Sequence, residues 1–468
     1  MASEAHPLAS FSTHTTASYI MPDGLSAAHR KQWIDASRVA TKESNDTWLD
    51  SASETKPATA DLVPVTFAEW EKAQAALRAS GDPIAHFDAT AFRTRLNELI
   101  AARRAADREQ VRAALDQFKA LSLTNTGSAG AESGAAPGAD ATVSAEEAAA
   151  AERATASISQ ASSLPPDGTS TTGLQLGHTL LHASQTTSTM TLMTGALQGL
   201  PAGSVFVADV QRAGRGRGSN VWVSPAGCLM CNVSFRIRSG AQLPFVQYLV
   251  GWAIVSVLRK HPLGARLNAR LKWPNDILLN GRKVGGIICQ STMDSNAGAG
   301  GAVFGAPTFT VHAGFGVNVE ANPEYPSLNT DIAAFVAAGA GARLDFELPP
   351  LAGKEAESAE AAAAALEAAR PFCRATVLAD VLATLDTALA KFNEHGFEPF
   401  LEEYLTMWLH SGQLVTAEGK DGTYRITGLS TSGYLRAQSV SRPGESVELH
   451  PDGNSFDMKQ SFIAVKRL

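Results

Sequence analysis

Cysteine is nearly missing from this chain, with 4 residues in 468. So few thiols exclude a disulfide scaffold and leave stability to an apolar core, which a chain of this length can build in two or three domains. Positive charge is not in excess either: the formal net charge is −7, so no global basic field draws the chain to nucleic acid or anionic lipid. Aromatic residues make up only 7%, too few for the stacking face of a single-strand nucleic-acid binder. The longest apolar run, Tyr248–Leu258, is too short to span a bilayer and reads as a buried helix ending in Arg259, Lys260 and His261. The first basic residue is Arg30, so neither an arginine-rich transit peptide nor a secretory signal is evident, and a cytoplasmic location is expected.

Composition divides what is there. Residues 1–65 are rich in Ser, Thr, Ala and Asp without periodicity and are expected to be flexible. Over 66–121 the apolar residues fall at helical spacing (Phe92, Leu96, Ile100; Val111, Leu115, Phe118), predicting two or three amphipathic helices of unknown role around Gly81-Asp82-Pro83. Residues 122–172 read as an Ala/Ser/Gly-rich linker, and no helix-turn-helix pattern precedes residue 173.

Strands and helices then alternate over 173–405, broken by a low-complexity insertion at about 333–369 that contains Pro349-Pro350 and a run of alanines from Ala361 to Ala365. Asn280-Gly281 between two apolar segments predicts a two-residue hairpin. Ser295–Ala302 predicts a longer hairpin loop, and helical periodicity returns over Thr376–Phe397. The segment 406–468, from Trp408 onward, has short alternating strands with Gly422, Gly428, Gly433 and Gly453 at turns, which predicts a small β-barrel.

Chemistry concentrates in two short segments. After the strand-like Ser204–Val210 come Gln211-Arg212-Ala213-Gly214-Arg215-Gly216-Arg217-Gly218, where glycines permit sharp turns and guanidinium groups offer bidentate partners to phosphate or carboxylate. The spacing matches neither a Walker loop nor the dinucleotide fingerprint. Strand-like segments on both sides make it an ordered loop rather than a tail. Further on, Lys272-Trp273-Pro274-Asn275-Asp276 sets a lysine beside a large ring and a proline-stiffened turn. Together they describe a site that gathers anions. Cys228 and Cys231 form a C-x-x-C, but without a second pair they read as core thiols.

These two segments, followed by Arg282–Ile288, resemble the biotin protein ligase family, and Trp408–Val415 with His450–Asp457 resemble its eukaryotic holocarboxylase synthetase branch. The resemblance covers about residues 173–468. It implies an α/β (α+β) fold: a class II synthetase-like mixed-sheet catalytic core with a C-terminal SH3-like β-barrel, here behind a helical and partly disordered N-terminal extension. It also implies ATP-dependent activation of biotin to biotinyl-5′-AMP, then transfer to a lysine of a carboxylase's biotin-carrier domain. ATP and biotin are then substrates with Mg²⁺ as cofactor, the carrier domains are partners, and neither nucleic acid nor membrane is expected.

By the same resemblance Lys272, Arg215 and Arg217 are catalytic. Ser188, Thr189, Met190, Gln211, Gly216, Gly285, Gly286 and Gly314 join them in holding biotin and its adenylate, with Gly314 and Gly316 allowing close approach. Trp222, Asn275 and Asn318 meet the nucleotide, and Asp276 stands near a Mg²⁺ held mainly by phosphates. Met190 stands where bacterial relatives carry asparagine, and Asn220 near where some carry a further arginine. Ser188 and Thr189 can equally cap a helix, and Asp276 a turn. A lipoate ligase or octanoyltransferase of the same fold is the alternative, with a Gly/Arg-rich RNA-binding protein behind it.

Overall fold

The computed structural model describes residues 17–20, 63–65, 87–88 and 91–103, and most of 175–465 apart from 295–307, 321–323, 339–367 and scattered shorter stretches. The chain divides into two compact units, Met1–Arg93 with Gln175–Leu468, and Thr94–Leu174. Of the helices expected over 66–121, a helix spanning 91–103 (α1) is described, and Phe92, Leu96 and Ile100 are buried along one stripe of it. The other helices expected there, the linker and the Ser295–Ala302 loop lie outside the described residues.

The main unit is built on one mixed sheet. Its strands are β1 (Ala17–Ile20), β2 (Val63–Val65), β3 (Thr179–Thr186), β4 (Ser204–Gln211), β7 (Cys228–Ile237), β8 (Ala269–Lys272), β9 (Asp276–Leu279), β10 (Arg282–Met293) and β11 (Phe309–Asn318). Their order is β2-β1-β3-β4-β7-β11-β10-β9-β8, with β1–β2 and β3–β4 parallel and the other pairs antiparallel. Two further short strands, β5 (Gly214–Arg215) and β6 (Val221–Trp222), form a separate ribbon. Asn280 and Gly281 both take positive φ, 50° and 77°, as the two-residue turn between β9 and β10 requires.

Helices cover the sheet. The short α2 (Thr189–Thr194) packs on β4, β7 and β11. The apolar α3 (Val246–Arg259) lies on β8 and β10, beside α5 (Arg374–His395) and α6 (Glu398–Met407). With the preceding turn, α3 belongs to a stretch, Gly240–Arg259, long and apolar enough to cross a bilayer, but that stretch is 61% buried and serves as core. Between them lies α4 (Leu328–Ala338), which runs six residues into the stretch expected as an insertion from Ala333. Leu328, Ile332 and Phe335 are all buried, so a packing stripe hides in alanine-rich sequence.

A second, six-stranded sheet closes the chain: β12 (Leu414–Ala417), β13 (Tyr424–Leu429), β14 (Leu435–Ser439), β15 (Ser446–Leu449), β16 (Asn454–Asp457) and β17 (Phe462–Val465), in the order β15-β14-β13-β12-β17-β16. Gly422 and Gly433 sit at turns as expected, with φ of 98° and 77°. Gly428 does not: it lies inside β13, where the register with β14 slips between Ile426 and Gly428, and its φ of 141° supports a bulge. Gly453 lies outside the described residues. Tyr248 Oη on α3 donates to Gly433 O at 2.8 Å, fastening this sheet to the helical layer.

Candidate active site

The glycine–arginine segment folds as the β5–β6 ribbon. Gly216 N donates to Asn220 O at 2.7 Å, and the two arms lie too close for side chains on the glycines. A Cβ on Gly214 would meet Trp222 O at 2.6 Å, and one on Gly216 would meet Asn220 Cβ at 2.9 Å. Arg215 is exposed on the ribbon, whereas Arg217 is half-buried and donates to the Pro451 carbonyl in the C-terminal segment.

The Lys272–Asp276 turn joins β8 to β9. Trp273 is buried and its backbone N–H donates to His410 Nε2 at 3.0 Å. Asn275 is pinned twice to β10, through Nδ2 to Ile287 O at 2.8 Å and through its carbonyl to Ile287 N at 3.0 Å. Asp276 Oδ1 binds Lys283 Nζ at 2.7 Å, and Oδ2 stands 4.0 Å from Lys272 Nζ. Lys283 Nζ also lies 5.5 Å from the Trp222 ring centroid, within cation–π reach.

His410 Nε2 accepts from Trp273, so Nδ1 carries the proton and donates to Gln413 Oε1 at 3.0 Å. Burial pushes His410 down to about 4; the Gln413 hydrogen bond opposes this shift and the Lys272 charge adds to it. The Phe456 ring packs against the imidazole at a tilt of 51°, with centroids 4.2 Å apart.

Ribbon, turn and sheet enclose a cleft of about 400 Å³, a size suited to a small ligand. Of the residues expected in a site, Ser188, Thr189, Met190, Gln211, Arg215, Gly216, Arg217, Trp222, Lys272, Asn275, Asp276, Gly286 and Gly314 line it. Ser188 caps α2, its Oγ accepting from Thr191 N, while Gln211 Oε1 accepts from Thr189 N at 2.7 Å and from Thr189 Oγ1 at 3.1 Å. The capping and lining readings of these residues hold together.

Some expectations need correcting. Gly285 faces away from the cleft: its Cβ would strike Gly316 O at 2.7 Å and Ile277 at 3.2 Å, so it serves strand packing. Asn318 is not among the lining residues; it is buried, with Nδ2 donating to Pro326 O at 3.0 Å. The space over Gly314 and Gly316 is already filled, by Met190 Cε (3.0 Å from a Gly314 Cβ) and the Trp222 indole (2.8 Å from a Gly316 Cβ). These glycines seat side chains that in turn line the cleft.

Asp276 holds two lysines, and no cluster of three His, Cys, Asp or Glu side chains that could bind a metal occurs among the described residues. The residues present do not fit a protein-held metal. Cys228 and Cys231 are buried free thiols in β7; burial pushes Cys228 up to about 12 and Cys231 well above the ordinary thiol value.

Sequence reasoning missed Lys283, His410 and Phe456. Lys283 lay inside the Arg282–Ile288 motif, but its aim depends on a register slip between Lys283 and Gly285. Phe456 reaches the cleft, and His410 the turn behind it, only through the tertiary fold.

Residues 182–305 match the profile of the biotin/lipoate A/B protein ligase family. Biotin–protein ligase 2 of Arabidopsis thaliana is 32% identical over 301 residues, which span 62% of this chain and 78% of that protein. The biotin–protein ligase of Homo sapiens is also 32% identical over 301 residues, 63% of this chain but only 36% of the longer human protein. The biotin protein ligase of Aquifex aeolicus, solved in complex with biotin and ATP, aligns over 58% of this chain and 96% of its own at 22% identity and a TM-score of 0.39.

Proposed function

The chain belongs to the biotin protein ligase family, and on that premise we propose that its cleft joins biotin to ATP and then passes biotin to a lysine of a carboxylase's biotin-carrier domain. The carrying observation is the cleft itself: Arg215, Arg217, Lys272 and Lys283 stand over a wall that includes Met190, Val221, Trp222, Ile288 and Phe315. Biotin is apolar except at its ureido ring and carboxylate, and a cleft that sets apolar and aromatic side chains beside cations suits it.

In the first step a biotin carboxylate oxygen bonds to the α-phosphorus of ATP and the bond to pyrophosphate breaks. Two anions must approach, so cations fixed beforehand lower the barrier where charge accumulates. Lys272 is held for this by the turn that His410 and Asn275 brace. In the second step the neutral amine of the carrier lysine attacks the acyl carbon, AMP leaves, and the new amide sheds a proton. Any Mg²⁺ would travel with the triphosphate, since Asp276 is engaged by Lys283 and Lys272. A cytoplasmic setting is part of the proposal.

The test is pyrophosphate release from ATP with biotin or lipoate, followed by transfer to a carrier domain. Biotin is expected to support both steps. Arg215→Ala and Lys272→Ala should each lower adenylate formation about 10²–10³-fold with the fold intact. Turnover with lipoate alone, or wild-type rates in either variant, overturns the assignment.

A further inference from the structure

Asn232 is fully buried in the middle of β7, and its side-chain oxygen has no hydrogen-bond partner. Its Nδ2 has only a weak one, the Met190 sulfur at 3.4 Å. A buried carboxamide left half-paired is costly unless something else completes it. It sits directly behind the cleft wall: Nδ2 is 3.4 Å from where a Gly314 Cβ would be, and Met190 and Gly314 both line the cleft.

The register fixes which end of the cleft this is. Asp276, which holds Lys272 and Lys283, pairs with Gly286 and through it with Gly316, whereas Asn232 pairs with Gly314 and through it with Ile288. Asn232 therefore lies two residues along and two strands across from Gly286, roughly 12 Å by strand spacing. A ligand whose carboxylate meets the cations would point its other end here. Of the other polar groups at this end, Ser188 Oγ accepts from Thr191 N, Thr189 donates to Gln211 Oε1, and Gln211 Nε2 donates to Ser224 Oγ.

We propose that Asn232 is a specificity-determining residue whose carboxamide hydrogen-bonds the ureido ring of biotin; this rests on the biotin reading above. Met190 is the movable part. A flexible thioether can swing aside, and a ring bearing both N–H and C=O can replace the N–H···S contact and satisfy the orphaned oxygen as well. Whichever way the amide is turned, a ureido group complements it.

The test is Asn232→Leu, with Asn232→Thr as the gentler change. The expected result is a rise in the biotin Kd of about tenfold or more, with ATP affinity in the absence of biotin unchanged. Lipoate, whose dithiolane ring has neither N–H nor carbonyl, should have the same Kd for wild type and variants. The melting temperature should hold or rise, because an unpaired buried amide has been removed. A structural role predicts the reverse, a lowered melting temperature with biotin and lipoate affected alike, and that result overturns the proposal. An unchanged biotin Kd in a folded variant does so too. A wild-type protein that fails to bind biotin overturns the function reading, and this inference with it.

Discussion

His410 allows a stability prediction with its sign and size worked from the structure. It is fully buried, it accepts the Trp273 N–H, and burial lowers it from 6.5 to about 4. Above pH 6.5 the imidazole is neutral in the folded and unfolded chain alike, so its contribution is fully present. As pH falls below 6.5 the unfolded chain takes up a proton that the folded chain refuses, and stability is lost. The loss continues until about pH 4, where the folded chain protonates as well. The gap from 6.5 to about 4, at about 1.36 kcal/mol per pH unit, amounts to about 3 kcal/mol.

His410→Gln is the matching perturbation, because a glutamine oxygen can accept from Trp273 N without titrating. Urea unfolding of both proteins between pH 8 and pH 4 is the assay. Wild type should lose about 3 kcal/mol more than the variant across that range, nearly all of it below pH 6.5. His261 and His312, also lowered by burial, act on both curves and cancel in the difference. Parallel curves would refute the reasoning.

Two further outcomes are expected. Gly316→Ala forces a methyl to 2.8–3.1 Å from three atoms of the rigid Trp222 indole, so it should cost about 1–3 kcal/mol in unfolding experiments and shift tryptophan fluorescence; an unchanged spectrum refutes the seating of Trp222 on that glycine. Arg217→Ala frees the ribbon from Pro451, so amide exchange over 212–218 should quicken in that variant and not in Arg215→Ala; equal exchange in both removes the tether.

Local signals in the sequence carried far. Val205 to Ala208 formed a buried strand because an unbroken apolar run fits a covered sheet, and Asn280-Gly281 turned because both residues tolerate positive φ. Much of the cleft lining comes from the Gln211–Arg217 and Lys272–Asp276 segments that the sequence singled out. What stayed hidden depends on contacts distant in sequence or on broken periodicity. His410 meets Trp273 across 137 positions, and Lys283 reaches Asp276 past a register slip that no alternation rule contains. Asn318 shows the opposite error. Alternation puts it on the face of Gly314 and Gly316, yet at the strand end the Pro326 carbonyl takes its amide.

The strand β8 lies at the border of the nine-stranded sheet, where unpaired backbone groups would invite another chain to dock. In this fold Trp408 bridges to Leu271 and Leu409 N donates to Leu271 O at 2.9 Å, so the chain leaving α6 shields that border before entering the second sheet. Deleting everything from about residue 406 would therefore bare a sticky margin beside Lys272 as well as removing Phe456 and Pro451. Such a deletion invites self-association between molecules, and loss of activity in it would report on clumping as much as on catalysis. Single replacements at Phe456 or Arg217 leave the margin covered and are the cleaner probes of what the C-terminal sheet contributes.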